Sequence, residues 1–342
     1  MKTIYTEKHK LRNSKTELYG GVLVPPFEKP ERAEIIRARV EATGLGEIIA
    51  PTEHGLDPVR RIHDADFLDF LSTAYDDWQA AGFEGEVIAA SYVARRMQAR
   101  RPDFIDGKAG YHCLASETAI CAGTWQAAQA SADVALTGVD LVSTGEAVAF
   151  SLCRPPGHHA TADMYGGYCF LNNAAIAAQS FLDRGAKRVA VLDVDFHHGN
   201  GTQDIFYARD DVFFASLHGR PEEAFPYFLG YADETGEGVG EGYTANYPFA
   251  PKTPYSDWAT GLDAACDRIA DYGAEALIVS LGVDTFEKDP ISFFKLVSDD
   301  FRKIGARIAK LSKPTLFVME GGYAVEEIGV NTVNTLIGFE GG

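Results

Sequence analysis

Five cysteines in 342 residues, an odd number with no Cys-x-x-Cys pair, leave little material for a disulfide framework. Such a set argues for a reducing compartment. No apolar run approaches the ~20 residues that a membrane-spanning helix needs. The first ten residues, MKTIYTEKHK, lack the apolar core of a secretory signal. A soluble, cytoplasmic protein with no membrane partner is therefore expected. Positive charge is scarce: 31 Lys and Arg face 49 Asp and Glu, a formal net charge of −18. Nucleic acid is disfavoured as a partner, because its phosphates would be repelled, whereas a cationic ligand would be drawn in by the field. Internal repeats, low-complexity tracts and Ser/Gly/Pro linkers are also missing, so nothing divides the chain. Strand-like runs alternate with helical patterns throughout, including helices expected at 31–43, 256–272 and 298–311, the last two with a serine near the start. The prediction is an α/β fold: a single domain over 1–342 with a central, mostly parallel, doubly wound sheet flanked by helices.

What the chain does have is polar chemistry at the ends of predicted strands. The β-branched run 188–192 leads into Asp193, Asp195, His197, His198, Gly199 and Asn200. Open α/β sheets bind their ligands at strand ends of this kind. Asp195 and His197 are two apart, so on an extended backbone they project to the same side. A second apolar run, 276–281, leads into Gly282, Val283 and Asp284. Two carboxylates and one imidazole make a three-ligand set that leaves a position open, as a catalytic metal requires. Alone, Asp284 reads equally as a helix cap or turn residue. The run 147–152 leads into Arg154, Pro155, Pro156, Gly157, His158 and His159, where Pro-Pro-Gly stiffens the loop carrying the paired histidines. The run 315–319 leads into Glu320, Gly321, Gly322 and Tyr323. Four strand ends bearing His-His, Asp-x-His, Asp and Tyr are hard to explain by packing. The chemistry they fit is metal-assisted acyl transfer to water. A metal polarises the carbonyl, a neutral histidine moves the proton and a tyrosine hydroxyl meets the oxyanion.

With Gly166–Asn173 and Ser280–Asp284 added, these motifs resemble the histone-deacetylase-like amidohydrolases of the arginase/deacetylase superfamily, and they span most of the chain. The resemblance implies one zinc ion on Asp195, His197 and Asp284, with iron(II) or cobalt(II) as substitutes. It implies His159 as general base and acid, His158 as its electrostatic partner, Tyr323 as oxyanion donor and Asp193 as the residue orienting His158. Asn200 stands where many members have a second aspartate, so a less basic His159 is expected. The resemblance further implies a structural potassium (K+) site on Asp193, Asp195, His197, Ser216 and Leu217. A ureohydrolase of arginase type would need extra acids for a second metal, but Gly199 and Gly282 occupy those positions. A protein acetyl-lysine deacetylase of the same mechanism is the stronger alternative.

The charged segment at about 82–117 has no long clean periodicity. It is similar to the insertion with which acetylpolyamine amidohydrolases dimerise and narrow their entrance. Residues 9–21, 195–207 and 284–294 match that subfamily as well. The match implies a homodimer acting on a small cationic acetylated polyamine. Tyr19, Gly167, Tyr168 and Phe225 would line the channel, and Glu117 with Asp106 of a second copy would face the ammonium groups. The subfamily commonly has Glu at position 106, so the shorter Asp106 is expected to change the preferred amine length. Taken without the resemblance, Glu117 reads as a first-turn helix acid following Ser116. Cys153 and Cys169, though close to the motifs, read as small buried apolar residues.

Overall fold

The computed structural model describes residues 1–94 and 98–342; Arg95, Arg96 and Met97, inside the charged segment at 82–117, lie outside the described residues. The strands are β1 (Lys2–Ile4), β2 (Glu17–Tyr19), β3 (Val22–Val24), β4 (Ile48–Ile49), β5 (Val148–Ser151), β6 (Val189–Asp193), β7 (Val212–Gly219), β8 (Thr244–Phe249), β9 (Ala276–Leu281) and β10 (Thr315–Met319). The α-helices are α1 (Glu31–Thr43), α2 (Ala65–Ala80), α3 (Ile105–Tyr111), α4 (Thr124–Ser143), α5 (Asn173–Asp183), α6 (Asn200–Phe206), α7 (Tyr255–Tyr272), α8 (Ser298–Ala309) and α9 (Ile328–Glu340).

Eight strands form one sheet in the order β4-β1-β5-β10-β9-β6-β7-β8. Every neighbouring pair in it is parallel. A parallel sheet must be covered on both faces, and its strands then read as continuous apolar runs. Alternate residues do go to opposite faces. Val189, Val191, Ile278, Leu316 and Val318 pack under α2, α4 and α5. Ala190, Leu192, Leu277, Val279, Phe317 and Met319 pack under α1, α7, α8 and α9. This is the doubly wound architecture expected from the sequence.

The order of the sheet positions the chemistry. The four polar strand ends belong to β5, β10, β9 and β6, which are consecutive in the middle of the sheet. Because these strands are parallel, their carboxyl ends share one edge, and all four motifs open onto it. A separate two-stranded ribbon, β2–β3, stands beside that edge. Its turn is Gly20-Gly21, both in the left-handed region (φ 57° and 83°), as a two-residue hairpin of this twist demands.

α7 and α8 form where expected, with Ser256 and Ser298 near their starts. Neither serine caps its helix: α7 follows Pro254, and at α8 the Asp300 carboxylate accepts the Val297 N–H at 2.9 Å. The charged segment is also not irregular throughout, since its end folds as α3.

Candidate active site

Asp195 and Asp284 are fully buried, and His197 is nearly so. His197 Nδ1 lies 3.0 Å from Asp284 Oδ2 and 3.3 Å from Asp195 Oδ1. One ligand atom from each of the three falls within 4.8 Å of the others. The backbone orients both acids: Gly321 N–H donates to Asp195 Oδ2 (2.8 Å) and Phe196 N–H to Asp284 Oδ1 (2.7 Å). Burial and the neighbouring Asp195 charge push the Asp284 carboxyl up to about 7. Two carboxylates held together out of water are costly unless a cation neutralises them. The donor set thus fits a single divalent metal: two oxygens and one nitrogen converge, and the cavity lies beside them.

Glycines make this convergence sterically possible. A Cβ on Gly282 would meet Asp195 Oδ2 at 2.0 Å, and one on Gly321 would meet Asp284 Oδ2 at 2.5 Å. A Cβ on Gly199 would meet Asp193 Oδ2 at 2.2 Å. Positions 199 and 282 point at the acids, yet neither carries a ligand. The extra carboxylates of a two-metal ureohydrolase site are missing there.

The paired histidines differ in their partners. His158 Nδ1 is 2.9 Å from Asp193 Oδ2, and burial is outweighed by Asp193 and Asp195, which raise His158 to about 10. His159 Nδ1 is 2.6 Å from Asn200 Oδ1. The Asn200 amide donates its own N–H to the His159 carbonyl at 3.2 Å, so its oxygen must face the ring. That places the proton on Nδ1 and leaves Nε2 as a base. Burial, then the charges of His158 and His197, hold His159 well below the ordinary histidine range. A charged His158 therefore stands beside a neutral His159. Burial holds the Tyr323 phenol protonated, and the Arg32 guanidinium lies 4.8 Å over its ring.

A cavity of about 470 Å³ opens over these groups. Tyr19, Glu117, Gly167, Tyr168 and Phe225 line it together with His159, His197 and Tyr323. The Phe225 ring packs 5.0 Å from His159, and Tyr168 lies edge-on to Tyr323 at 5.6 Å. Glu117 Oε1 accepts the Gly167 N–H at 2.8 Å. Its reading as a first-turn helix acid fails, because 116–117 is a turn and α4 begins only at Thr124. Asp106 sits in the first turn of α3 and is not part of this lining. Ser216 and Leu217 are buried in β7, with Ser216 opposite Asp193 in the register of β6 and β7. Cys153 and Cys169 are buried, and burial raises both thiols, as befits inert packing residues.

Several further acids brace the site; Glu320 and Asp289 stand within the motifs read from the sequence, which assign neither of them a bracing role. Glu320 Oε2 accepts the N–H groups of Gly157 (2.7 Å) and His158 (3.2 Å), clamping the His-His loop to the end of β10. Asp289 Oδ2 accepts the Tyr323 N–H at 2.7 Å, and Oδ1 accepts that of Ile291 at 3.1 Å. Buried Glu28 gathers Arg12 (2.9 Å), Arg32 (3.1 Å) and Arg154 (2.7 Å). Arg32 in turn donates to the carbonyls of Glu320 and Gly322, on either side of Gly321. Only the three-dimensional contacts give these acids their bracing roles.

The family model described as the histone deacetylase domain matches residues 26–337. An acetylpolyamine amidohydrolase of Mycoplana ramosa is 61% identical over 341 residues, covering 100% of both chains. Acetylpolyamine amidohydrolase 2 of Pseudomonas aeruginosa is 57% identical, covering 100% of this chain and 99% of its own. The crystal structure of an acetylpolyamine aminohydrolase from Burkholderia pseudomallei superposes with a TM-score of 0.94 at 37% identity, over 99% of this chain and 98% of that one. By the extent of these matches, the chain belongs to the histone deacetylase family of metal-dependent hydrolases.

Proposed function

We propose that the protein hydrolyses the acetamide of N-acetylated polyamines, such as acetylputrescine, acetylcadaverine and acetylspermidine, to acetate and free amine. The observation that carries this reading is the cavity itself, which combines the catalytic groups with aromatic walls and a half-buried carboxylate, Glu117. Aromatic faces cover methylenes and attract ammonium groups, while carboxylates set the distance at which the charge can sit. Full-length relatives bearing the acetylpolyamine amidohydrolase name support the same substrate class.

Asp195, His197 and Asp284 would hold one zinc ion per subunit, with iron(II) or cobalt(II) as alternatives. When bound, the metal supplies an electrophile for the acetyl carbonyl and makes water more acidic. Every proton transfer belongs to the chain. His159, neutral and with Nε2 free, takes the proton of the attacking water and returns it to the leaving nitrogen, so acid and base are one residue. His158, charged and anchored by Asp193, adds positive potential beside the developing anion. The Tyr323 hydroxyl donates to the carbonyl oxygen as it gains charge. Asp193, Asp195, His197, Ser216 and Leu217 would hold potassium behind this machinery.

The segment 82–117 is read as the dimerising insertion. It leaves Tyr92, Val93 and Phe104 exposed, apolar surface that a second copy would cover. In such a dimer Asp106 would face the partner's entrance, one methylene shorter than a glutamate.

Amine release from N-acetylputrescine, N8-acetylspermidine and an acetyllysine peptide, each with and without added zinc, tests the proposal. Fast zinc-dependent turnover of the small amines with little on the peptide is expected. Preference for the peptide would keep the mechanism and overturn the substrate assignment.

A further inference from the structure

Glu17 opens β2, is 1% exposed, and borders the cavity from the ribbon side. Both its oxygens are engaged: Oε1 accepts the Tyr168 hydroxyl at 2.8 Å, and Oε2 accepts the Phe27 N–H at 3.0 Å. We infer that Glu17 is a positioning residue for substrate selection, holding the Tyr168 ring as a fixed wall of the cavity. This inference rests on the function proposed above and adds a residue to it.

The turn that carries Tyr168 needs holding. Tyr168 has φ 66°, a left-handed conformation that a bulky side chain adopts only under strain. Gly167 before it has φ 57°, and a Cβ there would meet the His159 ring at 2.2 Å, so the turn is pressed against the base. Paired backbone bonds between Gly166 and Cys169 close the turn (3.0 and 2.9 Å), and three bonds tie it to its surroundings. Gly167 N–H donates to Glu117 Oε1, Tyr168 N–H donates to Thr118 Oγ1 at 2.8 Å, and the Tyr168 hydroxyl donates to Glu17. The first two fix only backbone. The third alone fixes the ring, whose other edge meets Tyr323.

Glu17 also ties this wall to the rim. Its second oxygen holds Phe27, whose ring lies 5.5 Å from that of Tyr19, the exposed rim residue two places along β2. Each Glu17 oxygen is committed to a donor from the protein itself, Tyr168 on one side and Phe27 on the other, which is the arrangement of a brace. It acts on the channel through Tyr168, so it should matter equally for charged and uncharged chains.

The test uses zinc-loaded, full-length Glu17→Ala, Glu17→Gln, Tyr168→Phe and the double variant Glu17→Ala/Tyr168→Phe. Substrates are N-acetylputrescine and N-butylacetamide, its uncharged counterpart of similar length. Losing the charge-assisted bond should lower kcat/KM roughly ten- to a hundredfold on both substrates in either single variant. The double variant should be no worse than the poorer single, and Glu17→Gln, which keeps an acceptor oxygen, should recover most of the loss. Losses that multiply in the double variant, or a Glu17→Ala defect confined to the charged substrate, would overturn the inference. Melting curves and zinc content identify a misfolded Glu17→Ala. In that event Tyr168→Phe and Glu17→Gln decide, and native rates in Tyr168→Phe refute the brace. A native enzyme that ignores N-acetylputrescine but cleaves an acetyllysine peptide refutes the proposed function instead, and the coupling is then read on the peptide.

Discussion

Replacing Asn200 by aspartate should make His159 a stronger base, and the molecule holds its own comparison. Two adjacent histidines each offer Nδ1 to an acceptor, His158 to a carboxylate at 2.9 Å and His159 to an amide at 2.6 Å. Burial opposes charge on both rings. The acids around His158 reverse this and lift it to about 10, while His159 stays well below the usual range. A neutral hydrogen bond is worth about 1 kcal/mol and one to a charged group ~1.5–3 kcal/mol. The exchange therefore adds roughly 1.5 kcal/mol to the imidazolium form, or about one pKa unit. His159 works as a base only when neutral, so kcat/KM falls as pH drops through its pKa. Raising that pKa moves the acidic limb to higher pH by about one unit. The assay is kcat/KM for N-acetylputrescine against pH, native and Asn200→Asp side by side with equal zinc content. Aspartate cannot donate to the His159 carbonyl, so a lower melting temperature is expected and is measured alongside. An acidic limb that does not move refutes the idea that an amide at 200 keeps His159 weakly basic.

Gly282→Ala drives a methyl into Asp195 and should weaken metal binding roughly ten- to a hundredfold, read by chelator competition; unchanged affinity would show that the carboxylate has room to move. Tyr323→Phe should lower kcat by about 10²–10³ with little change in KM, and an equal loss in KM would assign the phenol to ground-state binding instead. Three arginines hold Glu28 at about 2 against an ordinary 4.5, a difference worth roughly 3 kcal/mol. Its folded pKa is depressed, so this stability is present above pH ~4.5 and lost as pH falls towards 2. Glu28→Gln should melt lower at neutral pH and lose less stability on acidification, and a parallel acid profile would count against the network.

Much of this protein was legible because its chemistry is local in sequence. β9 and β10 were bounded as they stand, and Asp195 and His197 share one side two residues apart. The glycines at 199 and 282 argued against a second metal before any coordinates, and Tyr19, Glu117, Gly167, Tyr168 and Phe225, expected to lie near substrate, line one cavity. Periodicity carries such features, because a strand or helix is dictated by neighbours a few residues away. It carries nothing about which strands become neighbours. That β5, β10, β9 and β6 stand side by side follows from the crossovers of the whole chain. The same limit hid Glu28, 126 residues from Arg154, and Glu17, 151 residues from Tyr168. It also made Glu117 resemble a helix start, when the N–H it accepts comes from Gly167, 50 residues along the chain. The sequence determined which polar groups stand at the strand ends, among them those proposed to do the chemistry. The tertiary structure decided which carboxylates brace them, because a buried acid's role is set by the donors packed around it, and those come from distant parts of the chain.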